Sequence, residues 1–328
     1  MPLLFSLDPA SALTAQICRH LGCSLAAHED RSFEDGEHKV RPLVDPGGQQ
    51  VAVIATLAGD ACASPQDKLM RLLFFLATLK DHGARRVIAV IPYLAYARKD
   101  ERTQDWDPVS LRVVAQLLET VGTDGVVALE VHNRAAFDNA FRGRAQRLDG
   151  HRVFDDWVMQ RMKAEVDPVR AASWTIASPD PGGVKRALRW REVLQNFTQR
   201  DLGFAIVDKR RSGGQLTGGL MVAGDVQGRW VVLVDDLVST GRTAAMAASA
   251  LRQAGAIGVI FVVTHAVLSP DANDHLASPD IDHILWTDSI SPSHGPLDLP
   301  WAHKVTVVSA GALLSKAIDR EFAATSMA

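Results

Sequence analysis

Cysteine is scarce in this chain. Cys18, Cys23 and Cys62 are three among 328 residues, too few and too irregularly spaced for a disulfide framework or a zinc site. Cys18 and Cys23 share an amphipathic stretch and read as packing residues. An excess of either charge is missing as well. Lys and Arg number 35 and Asp and Glu 38, a net charge of −3, so nothing points to nucleic acid or to an anionic membrane. No apolar run reaches the length of a membrane span. Residues 1–6 carry no charged region ahead of a long apolar core, so no secretion signal is visible. Low-complexity segments, Gly/Ser linkers and short-period repeats are absent. What remains is a cytoplasmic, soluble, globular protein, and 47% hydrophobic with 22% charged residues suit that class. Its length accommodates two domains of ordinary size.

The most informative stretch is Val231-Val-Leu-Val-Asp-Asp-Leu-Val-Ser-Thr-Gly-Arg-Thr243. Val231 to Val234 read as a buried parallel strand. Asp235 and Asp236 stand at its carboxyl end, where open α/β sheets place ligands. Ser239, Thr240, Gly241, Arg242 and Thr243 lead into an Ala-rich helix predicted over 244–254. Hydroxyls and free N–H groups at a helix N-terminus form an anion site. Paired carboxylates beside a phosphate cradle suit a sugar phosphate, with the acids holding ribose hydroxyls or Mg²⁺.

The rest of the chain alternates strand and helix. Asp8-Pro9 is the predicted start of a first helix, with an acid at the N-cap and proline at the first helical position, and Gly22 is its predicted end. Strands are predicted at 51–57, 87–92 and 126–131, with helices at 66–82 and 108–121. The second half repeats the plan, with strands at 174–177, 204–207, 231–234, 257–264, 284–286 and 305–308 and helices at 184–197 and 310–322. Alternation of this kind predicts an α/β protein of two tandem domains, each a mostly parallel sheet flanked by helices. The boundary is expected within 150–166, giving domains 1–155 and 156–328. The glycine-rich Ser212–Gly219 segment reads as a mobile loop.

Further polar groups fall at predicted strand ends. They are the Tyr93–Asp100 segment with Arg98 and Lys99, His132, the Ser178-Pro-Asp180-Pro-Gly-Gly183 turn, and Lys209 with Arg211 ahead of the glycine-rich loop. Two glycines after Asp180 let backbone approach a ligand closely. An imidazole and a carboxylate can both ligate a divalent ion. Taken alone, a single histidine is more often structural, and three cations in a row are usually a solvated patch. Arg31–Glu37 reads as a charged surface turn.

These pieces, in this order, resemble the ribose-phosphate diphosphokinase (PRPP synthetase) family, with its phosphoribosyltransferase-type fold. The resemblance runs from Phe33 and Glu37 through Leu69-Met-Arg-Leu-Leu, Arg98, His132, Asp180 and Lys209 to the 231–243 motif and Thr264–Ser269. It implies transfer of the diphosphoryl group of Mg-bound ATP to ribose 5-phosphate, giving 5-phosphoribosyl 1-diphosphate (PRPP) and AMP. It also implies roles for individual residues. Phe33, Asp35 and Glu37 would reach a neighbouring subunit's ATP site. Arg98 and Lys99 would bind ATP, and His132 and Asp180 would hold the Mg²⁺. Asp235, Asp236 and Ser239 to Thr243 would bind ribose 5-phosphate, and Lys209 and Arg211 would act in catalysis. Implied partners are ATP, ribose 5-phosphate and further copies of the chain as a dimer or hexamer, with no nucleic acid and no membrane. Three positions depart from the family pattern. Lys99 stands where glutamine is usual, Ser239 where the diphosphokinases carry a third aspartate, and Arg242 where a glycine is common. A Ser-Thr-Gly ending is closer to many phosphoribosyltransferases, which consume PRPP, so that reading and a non-catalytic homologue stay open. Asn133–Asp138 does not resemble the phosphate-activated branch, so weak or absent ADP inhibition is expected.

Overall fold

The computed structural model describes residues 2–8, 10–164, 173–212, 215–291 and 301–323. The chain divides into two compact units. The first comprises residues 1–149, 288–293 and 309–328, and the second residues 150–287 and 294–308. The second unit thus begins a few residues before the expected 155/156 boundary, and the C-terminal segment returns to the first.

The first unit opens with β1 (Leu3–Ser6), α1 (Ala12–Leu21), β2 (His28–Ser32), β3 (His38–Pro42), β4 (Gln50–Ile54) and α2 (Pro65–Asp81). It continues with β5 (Arg86–Ile91), α3 (Ser110–Thr120), β6 (Gly125–Leu129), α4 (Arg134–Ala140) and β7 (Ala145–Leu148). A five-stranded sheet runs in the order β1-β4-β5-β6-β7, and every pairing in it is parallel. β6 is buried along its whole length, as a parallel strand covered on both faces must be. The charged turn at Arg31–Glu37 is the exposed tip of an antiparallel hairpin, β2 with β3.

Helix α1 does not start at Asp8-Pro9. Ser11 is its N-cap, in extended backbone and accepting from the Thr14 N–H. Asp8 instead accepts from the Thr56 N–H at 2.8 Å, and Pro9 lies outside the described residues. Both residues are favourable N-caps, and the tie to Thr56 takes Asp8 out of the competition. Gly22 ends the helix as expected, in the left-handed region at φ 63°. Helix α2 carries a capping box in which Ser64 and Asp67 satisfy each other's backbone N–H, followed by proline at the first turn.

The second unit starts with a 3₁₀ turn at Gly150–Phe154, then α5 (Asp155–Ala164), β8 (Trp174–Ser178), α6 (Val184–Thr198), β9 (Gly203–Ser212) and β10 (Gln215–Gly224). It continues with β11 (Trp230–Val238), α7 (Arg242–Gln253), β12 (Gly258–Ala266), α8 (Ala272–Leu276), β13 (His283–Thr287) and β14 (Val305–Val308). The sheet order is β10-β9-β8-β11-β12-β13-β14, parallel except for the antiparallel β10–β9 edge. β11 is therefore central. Its side chains alternate between faces. Val231 and Leu233 pack with Ala244, Ala248 and Leu251 of α7, while Val232 and Val234 pack with Ala187, Trp190 and Leu194 of α6. Each such fully buried aliphatic side chain contributes about 1.5–3 kcal/mol, which fixes the level at which the strand's next residues emerge.

The expected mobile loop at 212–219 is largely a strand. Residues 213 and 214 lie outside the described residues, but Gln215 onward pairs with β9, Leu216 opposite Arg211 and Leu220 opposite Lys209, with a shift of register between. Glycine lacks β propensity but keeps both backbone hydrogen-bonding groups, so an antiparallel ladder can still recruit it at a sheet edge.

After β14 the chain forms α9 (Gly311–Ala323), which completes the first unit. Glu321, 2% exposed at its side chain, receives Arg86 at 2.7 Å and Arg144 at 2.8 Å. Arg86 sits on β5 and Arg144 just before β7, so one carboxylate ties this helix to two strands.

Candidate active site

Strand β11 runs four residues further than the apolar pattern alone indicates, so Asp235 and Asp236 lie within it. Ser239 and Thr240 form the bend that follows, and Gly241 occupies the N-cap of α7 at φ 73°. Glycine is required there on two grounds. The left-handed backbone disfavours a side chain, and a Cβ would stand 2.7 Å from Leu276 Cγ. The helix begins at Arg242, two residues earlier than expected. Its first N–H meets Thr240 Oγ1 at 3.3 Å, and Arg242 and Thr243 are exposed at its open end.

The acids are held by a residue that sequence reasoning passed over. Arg186 of α6 is buried, and its Nη1 lies 3.6 Å from Asp235 Oδ1 and 3.5 Å from Asp236 Oδ1. Asp236 is 6% exposed at its side chain and Asp235 21%, so Asp235 is the one that a ligand can reach. Burial first, and the adjacent Asp236 carboxylate second, hold the Asp235 carboxyl well above its ordinary value, and Arg186 only partly opposes them. A signal for Arg186 did exist. It precedes Ala187 and stands four residues before Trp190, on the face of α6 that the core buries, and a cation there demands an anionic partner.

Asp180 closes the turn after β8, the strand that pairs with β11. Its Oδ1 accepts from the Gly183 N–H at 3.0 Å, while Ser178 Oγ donates to its carbonyl at 2.6 Å. A Cβ on Gly183 would lie 2.5 Å from Ser178 Oγ, which is why glycine follows. Asp180 remains exposed at the same end of the sheet. Lys209 and Arg211 belong to β9, on the far side of β8 from β11. The register Leu233–Ala177–Ala205 puts the backbone of residue 209 near the level of the acid pair, roughly 10 Å across two strand spacings. The second unit therefore brings Asp180, Lys209, Arg211, Asp235, Asp236 and the 239–243 turn to one sheet end.

The remaining site residues lie in the first unit. Arg98 is exposed beyond β5, and His132 is exposed just beyond β6. Lys99 is engaged within its own loop, with Nζ 2.5 Å from Asp107 Oδ2 and 3.1 Å from Thr103 Oγ1. These bonds, Lys99 first, hold the Asp107 carboxyl well below the usual range. Phe33, Asp35 and Glu37 are exposed at the β2–β3 tip. Asp35 accepts from the Glu37 N–H at 3.1 Å, and Arg31 lies over the Phe33 ring at 5.2 Å.

Among the described residues no three His, Cys, Asp or Glu side chains gather into a metal site. No helix among the described residues is long and apolar enough to cross a membrane.

An acid pair on the central strand, a glycine-capped turn at the following helix and a mostly parallel sheet carrying both define a fold of the phosphoribosyltransferase type. Residues 3–122 match the N-terminal domain of ribose phosphate pyrophosphokinase, and residues 214–328 match the phosphoribosyl synthetase-associated domain. The chain is 34% identical to a ribose-phosphate pyrophosphokinase of Hyphomonas neptunium, over 97% of this chain and 95% of that one. With the enzyme of the same name from Thermosipho africanus the identity is 32%, over 97% and 93%. The crystal structure of phosphoribosylpyrophosphate synthetase from Mycobacterium smegmatis superposes with a TM-score of 0.84 at 28% identity, covering 98% of each chain. The chain belongs to the ribose-phosphate pyrophosphokinase family, whose members are diphosphate-transferring enzymes.

Proposed function

We propose that the chain transfers the diphosphoryl group of Mg-bound ATP to the anomeric hydroxyl of ribose 5-phosphate, in the cytoplasm, as a homo-oligomer. The anomeric oxygen attacks the β-phosphorus, the bond from that phosphorus to the oxygen bridging it to the α-phosphate breaks, and AMP leaves with that oxygen. The hydroxyl proton is released, and PRPP is the other product. The observation that carries this reading is the fixed acid pair Asp235/Asp236 on β11, directly ahead of the hydroxyl-lined start of α7.

Asp236, clamped by Arg186, holds its place, and the more accessible Asp235 meets the ribose hydroxyls. Ser239, Thr240, Thr243 and the N–H groups opening α7 receive the 5-phosphate, with Gly241 letting the backbone approach and Arg242 adding charge. Lys209 and Arg211 neutralise charge developing on the transferred group and on departing AMP. Arg98 binds the ATP phosphates, with Lys99 beside it, and Phe33, Asp35 and Glu37 serve a neighbour's nucleotide. His132 and Asp180 are the ligands assigned to Mg²⁺. When bound, the ion draws electron density from the phosphate oxygens and so eases attack. The protein's share of the rate enhancement is positioning and electrostatics, without a covalent enzyme intermediate.

Ser239-Thr-Gly favours one rival, a phosphoribosyltransferase that consumes PRPP. Two incubations separate the readings. ATP, Mg²⁺ and ribose 5-phosphate should yield AMP and PRPP, whereas PRPP supplied with nucleobases should persist. Consumption of PRPP, with no formation of it from ATP, would overturn the proposal.

A further inference from the structure

Cys18 and Cys23 take no part in the chemistry above, and the fold sets them side by side. Helix α1 ends in a Schellman motif around Gly22, which is left-handed at φ 63°. The Gly22 N–H meets the Arg19 carbonyl at 3.4 Å, and the Cys23 N–H reaches back to the Cys18 carbonyl at 3.1 Å. A side-chain contact between the two residues joined by that second bond commonly accompanies the motif. Here both are cysteine, and each thiol lies close enough to shift the ionisation of the other. Both are half-buried, within reach of a small reagent. The helix is tied on its other side as well, where Ser315 Oγ of α9 donates to the Ile17 carbonyl at 3.4 Å.

Burial comes first and holds both thiols above their ordinary value. The neighbours then divide the pair. Cys23 draws Cys18 down, whereas Cys18 and then Asp319 of α9 push Cys23 up. Cys18 is therefore the first to become a thiolate, with the proton of Cys23 beside it. A cysteine that serves only as a small packing residue needs no second sulfur next to it. Two thiols on one capping motif do have a chemistry of their own, because bridging requires close approach of the two backbones and the cap already supplies it.

We propose that Cys18 and Cys23 form an oxidation site for hydroperoxides, closing to a disulfide across the end of α1. The Cys18 thiolate attacks the hydroxyl oxygen of the peroxide, the O–O bond breaks, and the departing oxygen takes a proton and leaves as an alcohol or as water. Cys18 is then a sulfenic acid. The Cys23 sulfur attacks that sulfur, the S–O bond breaks, and the oxygen leaves as water with the Cys23 proton. The two thiols have lost two electrons and the peroxide has gained them. The first step is bimolecular and slow, since few thiolates form at either residue. The second is intramolecular, so it outpaces further oxidation of Cys18 to sulfinic acid. Thiol–disulfide exchange with a dithiol restores the pair.

Peptide mapping of the full-length protein after exposure to hydrogen peroxide tests the proposal. The treated chain is alkylated in denaturant and digested with trypsin. Cleavage after Arg19 puts Cys18 on the peptide 1–19 and Cys23 on the peptide 20–31. The expected result is that both thiols are lost together, as 1–19 joined to 20–31 within one chain by a bond that a dithiol reductant reopens. Cys23→Ser should instead carry Cys18 on to sulfinic acid, for want of the second sulfur. Cys62, exposed ahead of α2, is the internal comparison. Cys18 and Cys23 both alkylated at a peroxide dose that oxidises Cys62 would overturn the proposal, since the pair would then only pack. So would sulfinic acid on Cys18 of the parent chain, or bridges that run to Cys62 or to a second chain. Cys18→Ser assigns the order of attack, and Cys23 oxidised in it as fast as Cys18 is in Cys23→Ser would refute that order.

Discussion

Replacing Arg186 by leucine removes the guanidinium that lies 3.6 Å from Asp235 and 3.5 Å from Asp236 while keeping apolar bulk beside Ala187 and Trp190. Removing one partner of a buried ion pair costs about 3–5 kcal/mol, because the charge left behind has lost both water and its partner. For a unit of this size that lowers the melting midpoint by roughly 6–20 °C. The cost should depend on pH in a defined direction. The folded Asp235 carboxyl already sits above its unfolded value, so its protonated form favours the fold. That contribution is complete below the unfolded value, about 3.9, and is lost as pH rises through the folded one. Without Arg186 the folded value moves higher still. The gap between parent and variant should therefore widen as pH is raised above the unfolded value. Differential scanning calorimetry across that range measures it directly. A constant gap, or a variant as stable as the parent at the alkaline end, would show that Arg186 does not compensate the acids.

Gly241→Ala places a Cβ 2.7 Å from Leu276 Cγ in a left-handed residue. About 1–2 kcal/mol for the backbone and 1–3 kcal/mol for overpacking should lower the melting midpoint and raise the KM for ribose 5-phosphate about tenfold, with the KM for ATP little changed. Glu321→Ala removes the carboxylate that Arg86 and half-exposed Arg144 share. A loss of about 3 kcal/mol should make the first unit, residues 1–149 with α9, the earlier site of tryptic cleavage on heating. Cleavage beginning in residues 173–212 would count against that tie.

The parallel strands were legible because each is a short apolar run delivering polar residues at its carboxyl end. Val231–Val234 followed by Asp235 is the clearest case. Other features left weaker traces. β10 is a strand whose sequence contains glycine at 218, 219 and 224, so composition reads as a loop what pairing with β9 makes a ladder. The start of α1 was misplaced because Asp8 and Ser11 both look like N-caps, and only the long-range bond to Thr56 separates them. Lys99 read as a nucleotide contact that departs from the family pattern, and only the fold shows it bound to Asp107. The return of α9 to the first unit depends on Glu321 meeting Arg86 and Arg144 across 235 and 177 residues of sequence, a distance over which no local pattern carries information.

The central claim is that the β- and γ-phosphates move together from ATP to the sugar. The most direct measurement is the fate of label from ATP radiolabelled at the γ-phosphate, incubated with Mg²⁺, ribose 5-phosphate and the intact protein. The expected result is label in PRPP, in amounts equal to the AMP formed. Label released as inorganic phosphate with ADP, or carried by a sugar phosphate holding only one transferred phosphoryl group, would contradict it.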